Sequence, residues 1–278
     1  MTDSSIHIIQ SKAWYFLSIY YSREKWVELI SQIMYFCNMN QKQFSDCLIS
    51  LSEEKGEHIR VVFVSPNCID NYQNKITDFF QSFVNVHPSI STKTFPYGRT
   101  VWSNYPNNTL TWDRFRIQDF SEQYIRFHHT TFCLALHLLE DDFSADSIFS
   151  LGIYLFTKGL SCLDAKEKKN TIAKTLQDIS FTFENYNFNS TVEEVFDKID
   201  RNEVNEAIES YINENGSDYF PELIRWMDEA KMIVKFYNYK YFCMLICQIT
   251  GLSDLRKMMI LRLMNNWYNN QKARNNND

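Results

Sequence analysis

The sequence predicts an α+β fold: a mixed β-sheet with helices on one face in the N-terminal part, followed by a largely helical C-terminal half. Three observations predict it. Runs of β-branched and aromatic residues with strand-like alternation stand before Phe120; the segments between them place apolar residues at helical spacing; and beyond Phe120 the helical period takes over.

The elements follow in order. "AWYFLSIYY" from Ala13 is aromatic and β-branched enough for a strand, and "REKWVELISQIMYFC" then sets Trp26, Leu29, Ile30, Ile33 and Met34 at helical spacing. "FSDCLISLS" and "HIRVVFVSP" are strands on either side of the turn "EEKGE". "IDNYQNKITDFFQSFV" returns to the helical period through Ile69, Tyr72, Ile76, Phe79, Phe80 and Phe83, so the first part reads βαββα. "STKTFPYGRTVWSNYPNNTLTW" gathers Pro, Gly, Asn and Ser among aromatics, which predicts short strands joined by turns or a long loop over a pocket.

From Phe120 onward, "FSEQYIRFHHTTFCLALHLLEDD", "DSIFSLGIYLFTKGLSCL", "AKEKKNTIAKTLQDISFTFENY", "TVEEVFDKIDRNEVNEAIESYINEN" and a region from Pro221 to about Lys272 supply at least five helices. The stretch Glu193 to Glu214 is acidic with weaker periodicity, a solvated helical pair or an insertion, and "NNQKARNNND" is a polar, frayed tail. The expected organisation is a sheet region over 1–118 and a helical region over 119–278 packed on it as one integrated domain.

Composition narrows the function. The 278 residues are 45% hydrophobic with a net charge of −6, which supports a sizeable core and argues against phosphate-backbone binding, so nucleic acid is not an expected partner. The seven cysteines form no CxxC pair and have no His at zinc-finger spacing, so no metal site is expected. "MTDSSIHIIQ" lacks the basic and apolar regions of a signal peptide, and scattered thiols suit a reducing compartment; the expected location is cytoplasmic. No apolar run is long enough for a membrane span, and with no GxGxxG or GxxxxGK[ST] the expectation is a cofactor-free protein. No GxSxG supports Ser/His/Asp catalysis, and "LEDDFSAD" is a helix end with Ser144 or Asp146 as N-cap rather than a carboxylate pair.

"HIRVVF" sets His58, Arg60 and Val62 on one face of a strand and Ile59, Val61 and Phe63 on the other. Together with the Trp-bearing aromatic strand "AWYFLSIYY", the helix after it, the amphipathic helix after "HIRVVF" and the helical C-terminal half, it resembles the elimination domain of class I lantibiotic dehydratases, which also occurs alone in thiopeptide biosynthesis. In the glutamate-eliminating members the strand reads close to HIRLRF and a late helix carries a His just before Asn-Arg. The resemblance places the first Arg on Arg60 and the second on Val62, and it lays "YFCMLICQITG" over the late helix, with Cys243 at the His and Cys247-Gln248 at the Asn-Arg pair. Val62 can neither hold a leaving carboxylate nor titrate, and Cys243 on an apolar helix reads as a buried thiol.

These departures favour the family's other branch, the thiopeptide pyridine synthases. That resemblance implies a formal [4+2] aza-cycloaddition that joins two dehydroalanines of an azole-modified, leader-bearing peptide, with loss of water and leader. It needs no cofactor; it needs two distant residues held in a reactive pose and hydrogen bonds that favour an imidic-acid tautomer. The implied partners are the modified precursor peptide and other enzymes of the pathway, with no nucleic acid and no membrane. A glutamate-eliminating subunit and a non-catalytic precursor-binding subunit are the alternatives.

Candidate residues follow from that chemistry. Tyr241 and Tyr239 in "FYNYKYF" offer phenols that donate without charge beside the aligned Cys243, or they are packing residues. Arg60 and His58 share a face that lines a peptide pocket, or Arg60 is structural. His128 and His129 cannot share one helix face, so one of them, His129, is an acid or base, or else one is exposed and the other satisfied in the core. Arg99, Trp102, Ser103 and Tyr105 provide stacking and donors in the predicted loop, or are an ordinary surface loop, and Gln248 is a substrate contact by its aligned position.

Overall fold

The computed structural model describes residues 6–9, 12–66, 72–90, 105–112, 115, 117, 120–183, 201–214 and 219–275. It divides into two compact units, the first formed by 1–132 with 141–144 and the second by 133–140 with 145–278. The division runs through a helix rather than at the 118/119 boundary read from the sequence.

Unit 1 is built on a five-stranded sheet: β1 (Ile6–Ile9), β2 (Lys12–Tyr20), β3 (Asp46–Ser52), β4 (His58–Ser65) and β5 (Thr109–Trp112). β4 lies between β2 and β3, and the other edge of β2 is shared by β1 along its first half and β5 along its second. Every pairing among the described strands is antiparallel, which corrects the expected mixed sheet. The reason is the path of the chain. β3 turns directly into β4, so that pair must be antiparallel, and β4 then inserts beside β2, which keeps β2 and β3 apart though both run the same way. With α1 (Trp26–Met39) between β2 and β3 and α2 (Tyr72–Val86) between β4 and β5, the order β5-β2-β4-β3 is the ferredoxin-like βαββαβ arrangement.

The two sheet faces differ as the alternation in β4 requires. Ile59, Val61 and Phe63 meet the helices: Phe63 packs on Phe36 of α1 at 5.6 Å, on Phe80 of α2 at 6.2 Å and on Phe44 at 5.3 Å between ring centroids. The other face carries Trp14, Phe16, Ser18 and Tyr20 of β2 beside Val64, Val62, Arg60 and His58 of β4. Phe120 packs edge-on against Trp14 and Phe115 against Phe16.

α3 (Glu122–Leu139) begins in unit 1 and ends in unit 2. Unit 2 is helical in its described residues: α4 (Ala145–Ser161), α5 (Ala165–Phe183), α6 (Arg201–Asn213), α7 (Pro221–Phe236), α8 (Tyr239–Thr250) and α9 (Asp254–Asn275). α4 is the central helix, buried from Leu151 to Leu160 and packed by α6, α7, α8 and α9, as its nearly all-apolar sequence requires. Gly159 makes one of those contacts possible, because a Cβ there would stand 2.3 Å from the Phe242 ring of α8. Among the described residues no helix is long and apolar enough to cross a membrane.

Candidate functional site

In unit 1 the residues singled out in "GEHIRVVFVSP" form one connected group. Gly56, at a φ of 123° that only glycine adopts without strain, turns the chain from β3 into β4 and presents its carbonyl to His58. His58 is 1% exposed; its Nδ1–H donates to the Gly56 carbonyl at 2.8 Å, and its Nε2 accepts from Arg60 Nε at 3.2 Å. Burial pulls the imidazole down to about 4, so it is neutral, as an acceptor of an arginine N–H must be. The Arg60 guanidinium also pairs with Glu54 at 2.6 Å and stands 5.3 Å from the Phe115 ring. Its side chain is 17% exposed, so it is neither a solvated surface arginine nor sealed in the core.

Tyr105 joins the group through Tyr20, whose ring is stacked on His58 at 4.5 Å and faces Tyr105 at 4.8 Å. Burial raises the Tyr20 phenol, while the Thr111 hydroxyl opposes that shift. Arg99, Trp102 and Ser103 lie outside the described residues.

The histidine pair separates as helical geometry requires. His128 is 1% exposed, and its Nε2 is 2.9 Å from the Ser50 hydroxyl of β3. Burial, with a smaller contribution from the neighbouring His129, lowers it to about 3. His129 is half-exposed and stands 3.7 Å from Asp46, whose carboxyl is held below its ordinary value chiefly by this neighbour. The residue tied to the Arg60 strand is therefore His128, through Ser50, the register partner of Arg60; His129 is paired at the far end of β3.

In unit 2 the tyrosines part company. The stretch "FYNYKYF" is not one helix: α7 ends at Phe236 and Asn238 caps α8, its side chain accepting from the Tyr241 N–H at 2.8 Å. Tyr239 is 2% exposed and donates its hydroxyl to the Phe156 carbonyl of α4 at 2.8 Å, which corrects its reading as a substrate donor. The proton it would offer is already used to pin α8 to α4, and burial raises the phenol well above its ordinary value.

Tyr241 is half-buried and lines a cavity of about 420 Å³ with Ile179, Asn238, Lys240, Met244, Asp254 and Lys257. Its ring is stacked on Tyr237 at 4.8 Å. Lys257, 8% exposed, is held by Asp254 at 2.5 Å, so the cavity combines a phenol, an ion pair and apolar walls. Gln248 is half-buried on α8, seven residues on from Tyr241 and on the same helix face. Cys243 is fully buried with its thiol pushed well above the ordinary range, and burial pushes Cys247 up to about 12, as an apolar helix dictates.

Sequence reasoning missed Ser50, Ser18, Tyr20 and Lys257. The alternation in "LISLS" and "LSIYY" puts Ser50, Ser18 and Tyr20 on one sheet face, but only the pairing order brings them beside Arg60.

The chain shares its fold with a solved pyridine synthase. One structure it is similar to is "Pyridine synthase, TbtD, from thiomuracin biosynthesis", with a TM-score of 0.60 over 91% of this chain and 97% of that one, at 13% identity. No protein-family profile and no curated protein matches the sequence.

Proposed function

We propose that this protein performs a cofactor-free formal [4+2] aza-cycloaddition, joining two dehydroalanines of an azole-modified, leader-bearing peptide into the pyridine core of a thiopeptide macrocycle. The observation that carries the reading is the match to a pyridine synthase along nearly the whole of both chains. Its substrate is a modified precursor peptide met in the cytoplasm, and water and the leader leave as the ring becomes aromatic.

The local chemistry supports this reading over glutamate elimination. Val62 is 2% exposed, with Phe16 and Leu48 as its cross-strand partners, so a second guanidinium at that position would be buried among apolar side chains. Cys243, which the resemblance lays over the titrating His of the eliminating members, is buried and un-ionised. A cycloaddition requires little charge: it gains most from fixing two reacting groups, and a neutral phenol such as Tyr241 can stabilise the imidic-acid tautomer by a hydrogen bond. Arg60 holds the peptide, with His58, buried and bonded through both ring nitrogens, orienting its guanidinium rather than touching substrate; Gln248 adds a contact on the face of α8 that carries Tyr241. The test is mass spectrometry of the purified protein with an azole-bearing peptide containing two dehydroalanines. The expected products are a free leader fragment and a macrocycle whose masses together fall one water short of the substrate; unchanged peptide overturns the proposal.

A further inference from the structure

The polar face of the unit 1 sheet carries a transverse row in which the strand register aligns Thr111 of β5, Ser18 of β2, Arg60 of β4 and Ser50 of β3. Ser18 is 1% exposed, and its hydroxyl has no hydrogen-bond partner among the described residues. A buried hydroxyl left in that state destabilises the fold, and so it points to a group that arrives from outside. Ser50, half-buried on the far side of Arg60, has its hydroxyl oriented by His128 at 2.9 Å. Neighbouring strands are about 4.8 Å apart, which puts Ser18 and Ser50 about 10 Å from each other, the span of about three extended residues.

The charge of the row selects its ligand. The Arg60 guanidinium is already balanced by Glu54 at 2.6 Å, and His58 and His128 are neutral at physiological pH. The row therefore offers several hydrogen-bond donors with no net charge, and a carboxylate arriving there would have to displace Glu54. An amide carbonyl, neutral and a strong acceptor, fits without that exchange.

We propose that this row is a subsite for peptide main-chain amides, with Ser18, Arg60 and Ser50 donating to the carbonyls of a substrate segment of about three residues laid across the sheet face. The inference rests on the reading of Arg60 as a peptide contact, and it names the part of the peptide that Arg60 recognises: backbone rather than an acidic side chain.

The experiment uses the full chain labelled with ¹⁵N-arginine, the Arg60 Nε–H signal being assigned by its loss in Arg60→Lys. N-acetylglycine N-methylamide is titrated as the probe, with acetate as the anionic comparison. The expected result is a saturable shift of that signal by the amide at concentrations where acetate gives less, and about a fivefold weaker response in Ser18→Ala and in Ser50→Ala. Ser18→Ala should keep or raise the melting temperature, because the hydroxyl it removes is buried without a partner among the described residues. Tighter acetate binding, no response to the amide, or a melting temperature lowered by Ser18→Ala would each overturn the proposal. The titration reads binding without turnover: a protein that binds the amide here but cyclises nothing loses the reaction and keeps the subsite, and one that cyclises its peptide without this response loses only the subsite.

Discussion

Arg60 donates its Nε–H to His58 Nε2 at 3.2 Å, and because His58 Nδ1 is bonded to the Gly56 carbonyl, the guanidinium is held at a fixed angle over the sheet face. A lysine has no Nε–H of that geometry and no fork to engage Glu54 at the same time. Arg60→Lys should therefore weaken precursor-peptide affinity nearly as much as Arg60→Ala, with kcat/KM falling in parallel, because the contact is made in ground and transition states alike. Peptide affinity and single-turnover rates of both variants check this. A fully active Lys variant would reduce Arg60 to a positive charge.

Burial holds His58 at about 4 and His128 at about 3, both below the ordinary 6.5. Between those values the unfolded chain binds protons that the folded state does not, so stability falls as the solution is acidified. The contribution is complete above about pH 6.5 and is withdrawn below it for both histidines together as the unfolded chain takes up protons, the His58 share levelling off near pH 4 and the His128 share near pH 3. Melting temperatures across pH 7.5 to 4 should decline below 6.5, and His58→Gln should flatten the curve. A melting temperature that rises from pH 6.5 to 5 would contradict these assignments.

Tyr239 and Tyr241 are two residues apart on α8 and should respond oppositely to Phe substitution. Tyr239→Phe leaves the Phe156 carbonyl without its donor and should cost about 1–3 kcal/mol of stability. Tyr241→Phe should leave stability almost unchanged and lower the single-turnover cyclisation rate by about 10²–10³, the effect of removing a positioned donor. Thermal unfolding and rate measurements on the same two proteins separate the roles. A Tyr241→Phe enzyme at the parent rate would make this phenol a packing residue.

Gly159→Ala should destabilise the protein by about 1–3 kcal/mol, because the added methyl meets the buried Phe242 ring at a distance no relaxed contact allows. Phe242→Leu in the same chain should recover part of the loss, which denaturant unfolding can read.

Much of the fold was legible where local pattern decides it. β2, β3, β4, α1 and α2 follow from alternation and helical spacing, and α3, α4 and α5 from the apolar period beyond Phe120. β1 was missed because four residues carry too little pattern, and the antiparallel sheet because the order of pairing is set by where the chain returns, not by any one segment. The break at Asn238 was hidden by aromatics that continue the helical period across it. Within the site, the face of Arg60 and His58 could be read from alternation alone. The burial of Tyr239 and the bond from Ser50 to His128 depend on helices and strands distant in sequence.

The central claim is tested most directly by offering the protein two peptides together, a glutamylated precursor and an azole-bearing peptide with two dehydroalanines, and following both masses over time. The account predicts that the glutamylated peptide persists while the dehydrated one is converted to a macrocycle and a free leader. Loss of glutamate from the first with the second unchanged would contradict it and assign this chain to elimination.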